Sequence, residues 1–153
     1  MKKEFTLRYL ILASGILLTT LVSAQTTHTI LLTCDTSNIT KDNVNDVCSF
    51  GQEPDVSNVD FTTDVSLDDF VVWIGETTNS NSSIELHSIN YQGGKNVFNK
   101  NVLTDDNGTV TGKVVDGLPG DVEKYVLKFR VFINGSRLPG IFDIDPRIRI
   151  QEL

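Results

Sequence analysis

Apolar and polar residues alternate along much of the chain. In "KYVLKFRVFI", Tyr125, Leu127, Phe129, Val131 and Ile133 fall on one face, while Lys124, Lys128 and Arg130 fall on the other. "FDIDPRIRI" repeats the pattern, with Phe142, Ile144, Ile148 and Ile150 inward and Asp143, Asp145, Arg147 and Arg149 outward. A period of two marks a half-buried strand, because successive side chains leave a strand on opposite faces. The connector "NGSRLPG" contains Asn134-Gly135 and Pro139-Gly140, both turn formers, so the two runs read as one long β-hairpin. Pro146 offers no N–H to a ladder, which predicts an edge strand or a bulge at that point.

Further strands are expected at 28–33, 58–64, 69–75, 84–91, 96–103 and 109–115. The turn clusters "TTNSNSS", "YQGG", "DDNG" and "DGLPGD" separate them. No helical period is sustained after the first 24 residues, and no internal repeat is evident. Short strands at this spacing predict an all-β fold, an antiparallel β-sandwich of about 7–8 strands. Residues 35–57 are rich in Asp and Asn with little alternation, and read as a long loop with a helical turn.

The N-terminus departs from this pattern. Lys2, Lys3 and Arg8 precede an apolar run from Leu10 to Val22, and "VSAQ" follows. These are the parts of a cleaved signal peptide, with cleavage predicted after Ala24. The alternative, a membrane anchor, requires ~20 apolar residues, more than this run supplies. Residues 25–153 then form a single mature domain with no transmembrane segment. Removal of three basic and one acidic residue takes the formal charge from −7 to −9. Such a surface repels nucleic acid, whose recognition needs a cationic footprint. The opening suggests a bacterial protein of the periplasm or the medium.

Cysteine usage agrees with export. Cys34 and Cys48 are the only two, and an even pair behind a signal peptide reads as a disulfide closing residues 34–48. The alternative is a pair of metal-binding or reactive thiols.

Two stretches carry a resemblance. "VSLDDFVVWIG" is similar to the cupredoxin strand in which a Gly-Asp turn leads into an apolar run with a Trp; here Asp68-Asp69 stands in place of Gly-Asp. "LPGDVEKYVLKF" resembles the later cupredoxin strand that precedes the copper loop. "ELHSINY" puts His87 near the place of the first copper histidine. The resemblance spans roughly residues 56–150 and implies a cupredoxin-like sandwich, with an immunoglobulin-like one as the alternative. Type 1 copper itself is not expected. Such a centre needs a thiolate and two imidazoles close together, usually with an axial Met. "NGSRLPG" supplies none of these, the only Met is Met1, and the only histidines are His28 and His87.

Other chemistry is thin. No G-x-S-x-G or phosphate-binding glycine loop is present. Nine carboxylates between Asp35 and Asp69 face a single base, Lys41. Within them Asp42, Asn43, Asn45 and Asp46 offer the hard oxygen ligands that calcium prefers, without the EF-hand spacing. Lys128, Arg130, Arg147 and Arg149 form a basic stripe on the polar face of the hairpin, with Phe132 beside them as an aromatic anchor. That stripe suits an anionic envelope protein or the acidic half of a second copy, giving head-to-tail self-association. Trp73 lies in an apolar run and reads as core; Tyr91 beside "QGG" is the better sugar platform. Sequons begin at Asn38, Asn81, Asn107 and Asn134, all in expected turns. The reading is an exported, non-catalytic binding or interaction module. A calcium- or carbohydrate-binding module is the first alternative and a small secreted hydrolase the second.

Overall fold

The computed structural model describes residues 25–151. The signal-peptide reading of residues 1–24 falls outside them. The strands are β1 (Thr27–Cys34), β2 (Cys48–Ser49), β3 (Thr62–Val65), β4 (Phe70–Thr77), β5 (Ser82–Gly94), β6 (Val102–Asp106), β7 (Thr109–Lys113), β8 (Val122–Ile133), β9 (Ser136–Arg137), β10 (Phe142–Ile144) and β11 (Arg147–Ile150), with one helical turn, α1 (Val44–Val47). The fold is all-β. It is one continuous mixed sheet in the order β2-β1-β4-β7-β6-β5-β8-β11-β3, with β9 and β10 as further partners of β8.

The sheet curls into a half-barrel because β6 is shared between its halves. Leu103 and Thr104 pair with β5, whereas Asp105 and Asp106 pair with β7. The inner faces of both halves then meet in one core. At its centre Trp73 of β4 donates its indole N–H to the Tyr125 hydroxyl of β8 at 3.0 Å, and neither side chain reaches solvent. A buried Tyr needs such a partner, so this bond fixes how the halves face each other.

The expected hairpin is present. β10 and β11 continue one antiparallel register against β8, with Phe142 opposite Phe129 and Ile148 opposite Glu123. Asn134 and Gly135 close the tight turn between β8 and β9 with φ of 51° and 76°, the left-handed pair that a two-residue hairpin favours. Asp145-Pro146 interrupts the returning strand. Pro146 still accepts a hydrogen bond from Tyr125 N–H at 3.2 Å but can return none. Beyond it β11 is not an edge, because β3 covers its other side.

Several expectations are corrected. The sheet has 11 strands and is mixed: β1 runs parallel to β4 over eight pairs, and β11 runs parallel to β3. Alternation reports which face a residue takes, not strand direction, and the long 35–69 connection lets β4 return parallel to β1. Residues 58–61 are a turn, not a strand, since Asp60 and Phe61 N–H both bond to Ser57 O. Residues 96–101 also turn. Val97 and Phe98 are both buried, but consecutively, as a loop tucked onto β8.

The 35–61 loop closes the open side of the curl. Ile39, Val44, Cys48, Phe50 and Phe61 join the core cluster, and Phe50 stacks on Phe61 at 4.7 Å. Cys34 and Cys48 form the expected disulfide. Asn58 is buried and donates to Cys48 O at 2.9 Å, bracing the same corner.

Candidate functional site

The edge of the sheet at β1 is open over part of its length. Phe70 N–H donates to Thr26 O at 2.8 Å, and Thr78 N–H to Cys34 O at 3.1 Å. In a parallel ladder a strand bonds a given neighbour through alternate residues, so the even-numbered residues of β1 address β4. Thr27, Thr29, Leu31 and Thr33 therefore turn their N–H and C=O away from it. Thr33 meets Ser49 of β2, but the chain leaves the edge at Gly51, whose φ of 77° turns it aside. Among the described residues no backbone partner takes Thr27, Thr29 or Leu31. Their side chains are exposed and uncharged. Edges in soluble proteins are normally guarded by charge, proline or a bulge, and "THTILL" contains no Lys, Pro or carboxylate. The opposite edge, β3, is shorter and guarded: Asp64 takes two hydrogen bonds from Arg149 at 2.7 and 2.9 Å.

The corner leading into β4 holds β1 in place. Asp68 has a φ of 71°, the left-handed conformation that glycine adopts most easily. This turns buried Asp69 inward. Its carboxylate accepts Thr26 N–H at 2.9 Å, Ser66 N–H at 2.9 Å and the His28 ring at 2.8 Å. Burial pushes the Asp69 pKa up, but the hydrogen bonds from His28, Thr26 and Ser66 outweigh it and hold it below the usual value.

The basic stripe meets acids of its own chain. Arg147 pairs with Asp60 at 3.2 Å and Arg149 with Asp64. Lys128 stands across from Asp143, and Arg130 across from Glu85. Arg147 lies opposite Lys124, not Lys128, so the two halves of the stripe come no nearer than about 14 Å along β8 at ~3.4 Å per residue. Phe132 is half-buried on the same outer face.

The loop oxygens proposed for calcium are partly engaged. Asn43 Oδ1 accepts Thr40 N–H at 2.7 Å, while Asn45 Oδ1 accepts from Asn58 at 3.4 Å. Asp42 and Asp46 are exposed. Among the described residues no group of three or more His, Cys, Asp or Glu side chains is placed to hold a metal ion. Tyr91 is half-buried and donates its hydroxyl to Gly94 O at 2.7 Å, a bond within its own strand.

Three features were not anticipated. His87 is the extra residue of a β-bulge between Leu86 and Ser88; Arg130 donates to its Nδ1 at 2.8 Å, placing the ring proton on Nε2. Glu123 is buried on the inner face, where its carboxyl accepts Val97 N–H at 2.6 Å; burial pushes its pKa up to about 7 against the opposing pull of the Val97 and Phe98 amides. Exposed Leu67 borders an apolar cleft of about 310 Å³ lined by Pro119 and Ile150, with Leu118 exposed beside Pro119. The signal for Glu123 was available: it continues the inward phase of Tyr125 and Leu127 two residues upstream.

The sequence matches no protein-family model and no curated protein. A solved structure that resembles it is that of the inclusion body protein PixA from Burkholderia cenocepacia J2315. The TM-score is 0.61, the identity is 14%, and the match covers 86% of this chain and 99% of that one. At that identity the likeness is one of fold alone.

Proposed function

We propose that this chain is an exported, non-catalytic interaction domain that works by backbone pairing at its sheet edge. The observation that carries the reading is the unguarded β1 edge, whose Thr27, Thr29 and Leu31 offer donors and acceptors in the spacing of one more strand. Strand addition gains affinity from main-chain hydrogen bonds and specificity from the side chains beside them. The Cys34–Cys48 disulfide suits an oxidising compartment, in keeping with an exported protein. It also occupies both thiols, which leaves no thiolate for type 1 copper.

The test compares the protein and its Thr29→Pro variant as baits in envelope extract, at low and high salt. Proline removes an N–H that faces away from β4, so the fold keeps its own ladder. A partner, or the chain itself, held by the parent and lost from the variant supports the reading. Equal recovery by both baits refutes it.

A further inference from the structure

We infer that the occupant of the β1 edge is a second copy of this chain, paired antiparallel through β1 about a two-fold axis at Thr29. The inference rests on the interaction reading above and names its partner.

The open run is self-complementary. Its outward-facing residues are Thr27, Thr29 and Leu31, and β2 blocks the edge from Thr33 onward. A two-fold axis at Thr29 sets Thr29 opposite Thr29, Thr27 opposite Leu31 and Leu31 opposite Thr27. Each of these is a pair of outward-facing residues, so each exchanges both N–H···O bonds of the close antiparallel type. Ser49 already sits opposite Thr33, so the pairing is confined to positions 27–31.

Charge and side chains agree with this occupant. A chain of net charge −7 repels its own kind over most of its surface. The faces brought together here carry only Thr27, Thr29 and Leu31, so no like charges are opposed. Thr opposite Thr is a favourable cross-strand pair, and exposed Leu31 gains the methyl of Thr27. The other edge does not pair in the same way, because it carries the charged Asp64, held by Arg149 of β11.

A contact of this length falls short of the ~1,200 Å² typical of stable interfaces, so the association is expected at micromolar affinity or weaker. Sedimentation of the purified protein is therefore run across a wide concentration range, on the parent and on Thr29→Pro and Thr29→Lys. A parent dimer is expected. Both variants should be weakened at least about tenfold with unchanged far-UV dichroism, because one removes the central donor and the other sets two lysines face to face. High salt should partly restore the Lys variant and leave the Pro variant monomeric. In a Thr29→Cys variant, mild oxidation should join position 29 to position 29, and a Thr104→Cys control on exposed β6 should not cross-link. A parent that stays monomeric, or a dimer indifferent to both edge variants, overturns the self-pairing. If the monomer instead holds a foreign protein that Thr29→Pro releases, self-pairing falls while the interaction reading stands. Should Thr29→Pro fail to fold, Thr29→Lys and the cross-link decide.

Discussion

Replacing Glu123 by Gln isolates a carboxyl that the core holds against its preference for water. The side chain is 1% exposed, and its pKa rises from an ordinary 4.5 to about 7. The folded state therefore binds the Glu123 proton more tightly than the unfolded chain does. Stability from this group is fully present below about pH 4.5, declines as pH rises, and levels off above about pH 7, the reverse of a salt-bridged carboxylate. At ~1.4 kcal/mol per pH unit the whole change is roughly 3 kcal/mol. Glu123→Gln keeps an oxygen for Val97 N–H and carries no charge at any pH. Urea unfolding of both proteins at several values between pH 4.5 and 8 gives the comparison, and every other titrating group cancels in the difference. The variant should gain roughly 3 kcal/mol on the parent across that range. Parallel stability curves would refute the assignment, since they would mean that Glu123 titrates alike folded and unfolded.

Asp69→Asn places an amide donor among three other donors and should cost about 2 kcal/mol at neutral pH. Because the folded pKa of Asp69 is lowered, the parent's advantage should vanish as pH falls below 3.8, read as converging acid-unfolding curves. Gly94→Ala should cost more than ~2 kcal/mol, because a Cβ there collides with Val122 O at a φ of 80°. Gly93→Ala, with open space around it, should cost under about 1 kcal/mol, and thermal melts of the two separate the effects. Replacing Cys34 and Cys48 by Ser should remove about 3 kcal/mol on chain-entropy grounds, measured by urea unfolding of the oxidised parent and the variant.

What the sequence made legible was the facing of residues. The inward phase of β8 and of β10–β11, the burial of Trp73, the Asn134-Gly135 turn and the Cys34–Cys48 bridge all follow from local pattern or from counting. Partnership over long separations was not legible. Nothing local tells that "HTILLT" runs parallel to "DFVVWIG", so the open edge of β1 was invisible. The acidic half and the basic stripe were both apparent, but not that Asp64 meets Arg149 across 85 residues of the same chain. "KNVFN" misled because two adjacent apolar residues can be buried by a turn when a neighbouring carboxyl, here Glu123, receives the loop's N–H.

The place of β3 at the end of the sheet bears on the order in which the protein can be made. Among the described residues its one strand neighbour is β11, which follows 85 residues later in the chain. In chain order "TTDV" precedes its partner strand and has no ladder to join until that partner is present. The sheet can be zipped shut at that side only when residues 147–150 arrive. Contacts of such long separation slow folding, because the loop must close before any bond rewards it. Clipping the chain just before Arg147 would remove few side chains from the core, but it would leave β3 a strand without a sheet.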